Sequence, residues 1–273
     1  MNISWKKDEI PNADDVARFY DRLYYRTCFQ KKSFEDFLAV IENVKSTSRI
    51  LSVGCGTGVI LTSLFADGFK NLYGVDISLS MIKESRSKGL PNLIRCDGEN
   101  MPYRSNVFDA VVCSATLHHF PMLNRIVGEI HRVLRPAGYL FIQEPNFNYH
   151  RFKSLRGKLF NFTFTLMRAF FRKLRALRQE NFSHLEPPET RHHRKPSTNE
   201  MVSTLSREFD ILLVREPYLI SPILDTLKFP KICCRLFFFL DFTIKNHNGG
   251  YLIRQVCQKH RALARGPRDV NKS

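Results

Sequence analysis

The chain has 273 residues, 43% of them hydrophobic, with 42 Lys and Arg against 26 Asp and Glu for a net charge of +16. That length and apolar content suffice for one large domain or two small ones with a real core, and the basic excess points to an acidic partner surface (nucleic acid or anionic lipid) or to a solubilising face. No run of about 18 apolar residues predicts a membrane-spanning helix, and Met1–Asp15, polar and ending in acids, does not read as a signal peptide. The seven cysteines form no CxxC pair and several sit inside apolar patterns, so they read as reduced, intracellular and not zinc-binding.

Asp15–Tyr25 reads as a short amphipathic helix and Phe34–Val44 as a second. Arg49–Val53 is the first strand, and it runs into Gly54-Cys55-Gly56-Thr57-Gly58. Val59–Asp67 is a helix closed by Gly68, Asn71–Asp76 the second strand, Leu79–Ser87 a helix closed by Gly89, and Asn92–Cys96 the third strand. Phe108–Ser114 is a fourth, nearly all-apolar strand. Leu123–Leu134 is a helix stopped by Arg135-Pro136-Ala137-Gly138, before a fifth strand at Tyr139–Glu144. The regularity then breaks at Phe147–Lys195, rich in Phe and basic residues. A helix resumes behind a cap at Ser197 or Thr198 with Glu200 following. Asp210–Arg215 is the sixth strand, Tyr218–Asn248 a second irregular aromatic stretch, Tyr251–Gln258 the last strand, and Lys259–Ser273 a basic tail.

Strands alternating with helices predict an α/β fold, a parallel sheet covered on both faces, with its ligand at the carboxyl ends of the strands. Gly54, Asp76, Asp97, Ser114 and Glu144 all fall at or just past such ends. Glycines at Gly54, Gly56 and Gly58 allow a sharp turn and a close approach of backbone to ligand. Asp76, 18 residues past the last glycine, suits the two hydroxyls of a ribose. The pair fits either NAD or S-adenosylmethionine. The spacing leans away from NAD, whose G-x-G-x-x-G would want a glycine where Val59 stands.

Five segments, taken in order, make the chain resemble a class I S-adenosylmethionine-dependent methyltransferase of the methyltransferase type 11 domain family. They are Ile50–Gly58, Gly74–Ser78 with Met81, Cys96–Tyr103, Phe108–Phe120 and Arg132–Asn146. The resemblance covers residues 14–146 and resumes at 194–216 and 249–258. It departs from the family at Gly98, where Ala is usual, and at the two aromatic-basic insertions. It implies a single domain over 1–273, a Rossmann-like α/β fold whose seven-stranded, mostly parallel sheet carries helices on both faces and a closing antiparallel hairpin. Within it, 14–146 would be the cofactor-binding core, 147–195 a lid inserted after strand five, 196–258 the rest of the sheet with a cap at 218–248, and 259–273 the tail.

The resemblance implies S-adenosylmethionine as cofactor. Gly54, Cys55, Gly56 and Gly58 would approach its methionine end, Asp76 and Ile77 the ribose, Met81, Asp97 and Gly98 the adenine, and Ser114 with Ala115 would offer backbone groups. Tyr20, with Tyr24, lies in a helix that folds over the cofactor in such enzymes. Asp97 reads equally as a turn residue and the tyrosines as core packing. His118 and His119 follow strand four, where acceptor and methyl group meet. Either is a candidate general base, as is Glu144; the histidines also read as local packing or hydrogen bonding and Glu144 as a surface or capping carboxylate.

Arg151–Arg178 carries nine Lys and Arg and no acid, with Leu and Phe recurring at spacings of three and four. A basic helix with so wide an aromatic face suits an anionic lipid surface, and suits equally a lid packed around an apolar pocket. Both readings predict a hydrophobic small-molecule or lipid-like acceptor for a cytoplasmic enzyme, peripheral at the inner membrane surface in the first case. The alternatives are a nucleic-acid methyltransferase, disfavoured because the phenylalanines form no base-stacking platform, and a non-catalytic cofactor-binding protein on the same fold.

Overall fold

The computed structural model describes residues 44–145, 197–215 and 252–260, together with 17, 21, 35 and 37–41. The predicted lid at 147–195, the cap at 218–248, most of the tail, and Tyr20 and Tyr24 lie outside the described residues.

Seven strands form one sheet: β1 (Ile50–Val53), β2 (Leu72–Asp76), β3 (Asn92–Arg95), β4 (Phe108–Ser114), β5 (Leu134–Pro145), β6 (Phe209–Arg215) and β7 (Leu252–Lys259). Their order is β3-β2-β1-β4-β5-β7-β6. β1 to β5 run parallel, and β7 lies antiparallel between β5 and β6. Among the described residues four helices have defined bounds, α1 (Val59–Ala66), α2 (Leu79–Ser87), α3 (Leu123–Val133) and α4 (Thr198–Leu205), and residues 37–41 are helical as well. The sheet is the predicted one, closing antiparallel strands included. Element ends shift from the sequence reading by no more than one residue, save at the start of β5 and at the end of α4, where the helix pattern runs on to Phe209 but the helix stops at Leu205.

The pleat sorts alternate residues to two cores. Leu51, Val53, Val111, Cys113, Leu140 and Ile142 face one side, where α3 and α4 pack. Ile50, Ala110, Val112 and Phe141 face the other, against α1, α2 and the 37–41 helix. Burial on both faces is why β4 reads FDAVVCS with no polar alternation. On α3 the buried residues Leu123, Ile126, Val127, Ile130 and Val133 recur at three and four, a single apolar stripe. Each such side chain contributes roughly 1.5–3 kcal/mol relative to exposure.

Two local expectations are corrected. Arg135-Pro136-Ala137-Gly138 is not a turn ahead of β5 but a bulge within it. Leu134 already pairs with Phe108, and pairing resumes at Ala110 with Tyr139. Leu134 is fully buried, so the chain enters the ladder straight from α3, and four residues stand opposite the single Asp109, which pairs with Arg135 at 2.6 Å. A Cβ on Gly138 would stand 2.8 Å from the Arg135 carbonyl oxygen, which explains the glycine. Lys259 was assigned to the tail. It closes β7 instead, its ammonium donating to Asn106 Oδ1, the His131 carbonyl and the Leu134 carbonyl at 2.7–2.9 Å. Among the described residues no helix is long and apolar enough to cross a membrane.

Candidate functional site

The loop after β1 has three alternate glycines in the left-handed region, Gly54 at φ +62°, Gly56 at +53° and Gly58 at +78°. Two of them are also required by packing. A Cβ on Gly54 would lie 2.5 Å from the Thr116 side chain, and one on Gly58 would lie 2.2 Å from Ser85 Oγ. Gly56 differs, because a Cβ there would meet nothing within 4 Å among the described residues. It lies at the carboxyl end of the sheet, beside Asp76.

Asp76 ends β2 and stays partly exposed. One carboxylate oxygen accepts from the Gly56 N–H at 2.8 Å and the other from the Ser78 N–H at 2.9 Å. Burial raises its pKa above the ordinary carboxylate value, while those two N–H groups and nearby His119 pull it down. Each oxygen keeps further lone-pair capacity, so the carboxylate can also accept from vicinal hydroxyls. Ile77 follows, its carbonyl held by Arg95 Nε at 3.1 Å. Ser78 caps α2 by accepting from the N–H of Met81, and Met81 is buried beside it. Cys55 is buried with its thiol pKa pushed well up by burial, so it is inert as a nucleophile.

Asp97 closes the loop after β3. It accepts from the Glu99 N–H at 3.0 Å and from Asn100 Nδ2 at 3.3 Å, an Asx-type turn. Gly98 is buried, and a Cβ there would stand 3.0 Å from Phe120. The following stretch is clamped by a pair that sequence reasoning missed. Arg132 donates to both oxygens of Glu129 and to the carbonyls of Met101 and Tyr103, and Glu129 accepts from the Met101 N–H. The three-residue spacing of Glu129 and Arg132 on a helix was the available signal.

β4 ends at Ser114, partly exposed, and Ala115 follows at φ +49°. A single 3₁₀ turn, Leu117–His119, comes next. Its anchor is Glu144 at the end of β5. That side chain is fully buried, one oxygen accepting from the Thr116 and Leu117 N–H groups at 2.7 and 2.8 Å and the other meeting His118 Nδ1 at 2.6 Å. His118 is buried with it, and His119 stacks on His118 at 4.1 Å between ring centroids while remaining partly exposed. The structure therefore brings the glycine loop, Asp76, the Asp97 loop and His119 to one edge of the sheet. Glu144 it places beneath that edge, inside the protein.

A glycine loop at the carboxyl ends of the strands, beside a carboxylate able to take two hydroxyls, has the geometry with which open α/β sheets hold a nucleoside. The residues present fit a nucleoside with a flexible sulfonium arm, since nothing at the loop demands a pyrophosphate. Residues 51–142 match the family described as Methyltransferase domain. The chain thus carries a class I S-adenosylmethionine-dependent methyltransferase domain.

Over 133 residues it is 36% identical to the tRNA (carboxymethyluridine(34)-5-O)-methyltransferase of Arabidopsis thaliana, covering 46% of this chain and 31% of that one. Over 151 residues it is 32% identical to the phthiotriol/phenolphthiotriol dimycocerosates methyltransferase of Mycobacterium leprae (strain TN), covering 51% and 52%. The chain spans no more than about half the length of these curated relatives. A crystal structure of a SAM-dependent methyltransferase, possible histamine N-methyltransferase, from Thermotoga maritima superposes with a TM-score of 0.58 at 16% identity, covering 92% of this chain and 99% of that one. At that identity the likeness is one of fold.

Proposed function

We propose that the chain transfers a methyl group from S-adenosylmethionine to a hydrophobic, lipid-like acceptor. The observation that carries the cofactor half is the open space at Gly56 beside the Asp76 carboxylate. When bound, S-adenosylmethionine supplies an electrophilic methyl group and leaves as a neutral thioether. Gly54, Gly56 and Gly58 let the backbone come close to it, and Asp76, next to Ile77, takes the ribose hydroxyls. Met81, Asp97 and Gly98 hold the adenine side, and Ser114 offers backbone groups. The protein's work is position, not bond-making.

His119 is the residue we assign to take a proton from an O–H or N–H acceptor, because it alone of the three candidates is partly exposed at the edge. Glu144 and His118 are positioning residues in this reading, holding the loop that carries His119. Support for a lipid-like acceptor comes from the basic, aromatic pattern of Arg151–Arg178 and from the Mycobacterium leprae relative. Peripheral contact with an anionic membrane on the cytoplasmic side rests on the same pattern.

A second reading, RNA as acceptor, is favoured by the +16 charge and by the tRNA-modifying relative. One experiment separates them. The purified chain is incubated with methyl-labelled S-adenosylmethionine and cell extract, and the lipid, small-molecule and nucleic-acid fractions are counted. Label in lipid is expected. Label confined to RNA overturns the first reading, and label in no fraction leaves a binding protein without turnover. Sedimentation with anionic liposomes at low salt, lost at high salt, is the expected result for membrane contact; none at low salt sinks it.

A further inference from the structure

We propose that Asp21 and Lys88 are positioning residues of the cofactor loop, latching the N-terminal segment onto Thr57. Thr57 sits between Gly56 and Gly58 and is 1% exposed. Its hydroxyl donates to one oxygen of Asp21. The Lys88 ammonium donates to the other Asp21 oxygen at 2.5 Å and to the Thr57 carbonyl at 2.7 Å. One residue from the N-terminal segment and one from the end of α2 therefore grip both polar groups of a single loop residue. Ala17, four residues before Asp21, is buried, so the segment is seated as well as tethered there.

Lys88 is well placed to bear this. It is the C-cap of α2, where a cation complements the helix dipole, and Gly89 at φ +83° ends the helix just behind it. The same helix end presses on the neighbouring loop residue, since Ser85 leaves no room for a side chain at Gly58. The loop's other ties do not involve the Thr57 hydroxyl or carbonyl: the Cys55 N–H donates to the Val75 carbonyl and the Gly58 N–H to the Cys55 carbonyl, each at 2.9 Å. Gly58, the N-cap of α1, has no side chain to cap it, and the Gly56 N–H is committed to Asp76. Without the latch, the Thr57 peptide planes that set the direction of Gly56 would be held within the loop, by the Gly58 N–H donating to the Cys55 carbonyl at 2.9 Å, and from the Asp76 side, with the Thr57 hydroxyl and carbonyl released. Cofactor binding and docking of the N-terminal segment are thus coupled through Thr57, and such coupling acts equally in both directions.

This rests on the cofactor reading above, and the test separates the two. S-adenosylhomocysteine is titrated calorimetrically into the full chain and into Lys88→Met, Lys88→Arg and Asp21→Asn. Lys88→Met and Asp21→Asn should each weaken binding about tenfold, within the usual range of coupling between sites. Lys88→Arg should recover most of it, and the double variant Lys88→Met/Asp21→Asn should be no weaker than the poorer single one. In parallel, trypsin cleavage after Arg18 and Arg22 should slow on ligand addition in the unmodified chain and not in Lys88→Met. Folding of each variant is checked by its urea midpoint. If Lys88→Met does not fold, Asp21→Asn and Lys88→Arg carry the comparison. Binding within twofold of the unmodified chain by a folded Lys88→Met or Asp21→Asn overturns the latch alone. No binding by the unmodified chain overturns the cofactor reading, and the latch with it.

Discussion

Alanine at Gly56 and alanine at Gly58 should fail in opposite ways. Both positions lie at positive φ, so each substitution carries a left-handed backbone cost of about 1–2 kcal/mol. Part of this is offset by about 0.4–1 kcal/mol from the stiffer unfolded chain. At Gly56 nothing else is added, because the new methyl enters open space. The net loss of stability without ligand should be about 1 kcal/mol. At Gly58 the methyl would sit 2.2 Å from Ser85 Oγ and 2.7 Å from Leu90 Cδ1, so α2 must move or the loop must open. Overpacking of that kind adds roughly 1–3 kcal/mol, for a total of about 2–4 kcal/mol. The space beside Gly56 is the space assigned to the cofactor, so Gly56→Ala should weaken S-adenosylhomocysteine binding by at least about tenfold, or 1.4 kcal/mol. Urea unfolding gives the first pair of numbers and calorimetry the second. The reasoning is refuted if Gly56→Ala binds like the unmodified chain, or if it unfolds as easily as Gly58→Ala.

The remaining predictions concern the two carboxylates. For Asp76, burial raises the folded-state pKa, so the folded protein binds the proton more tightly than the unfolded chain does. Stability contributed by this group is therefore greatest below the ordinary carboxylate range and falls as pH rises through the raised value. Asp76→Asn removes that penalty: relative to the unmodified chain its unfolding free energy should gain as pH rises from about 4 to 8, while cofactor binding is lost. A difference flat with pH in urea titrations would count against the assignment. For Glu144, Ala removes the acceptor of two backbone N–H groups and of His118 and should cost about 3–5 kcal/mol. Gln keeps one oxygen but turns an N–H group toward His118 or toward the loop, and should cost about 1–3 kcal/mol. A Glu144→Ala protein within about 1 kcal/mol of the original would mean that the carboxylate is not the anchor it is taken to be.

Much of this molecule was legible because its signals are periodic or conformational. Alternation and apolar runs place the strands, the three–four stripe of Leu123, Ile126, Val127, Ile130 and Val133 places α3, and the glycines announce backbone that other residues resist. The bulge at Arg135–Gly138 misled because Pro and Gly carry the same signal in a turn and in a strand excursion. Only the burial of Leu134 and its pairing with Phe108 distinguish them, and that pairing depends on β4, which lies before the whole of α3 in sequence.

What stayed hidden shares one property. Glu144 reaches Thr116 and Leu117 across 28 and 27 residues, Arg132 reaches Met101 across 31, Lys88 reaches Thr57 across 31, and Lys259 reaches Leu134 across 125. In each case the partner is a backbone N–H or carbonyl, which has no residue type to recognise, so no pattern of side chains could have revealed the pairing. The consequence falls on the catalytic candidates. Glu144, His118 and His119 looked interchangeable as bases because all three are titratable residues after strand ends. Loops leaving a parallel sheet must satisfy their own N–H groups, and here a buried carboxylate does so. Glu144 is taken up by that task and draws the His118 ring in with it. Of the three, His119 alone is partly exposed, and it stacks on the His118 ring that Glu144 holds.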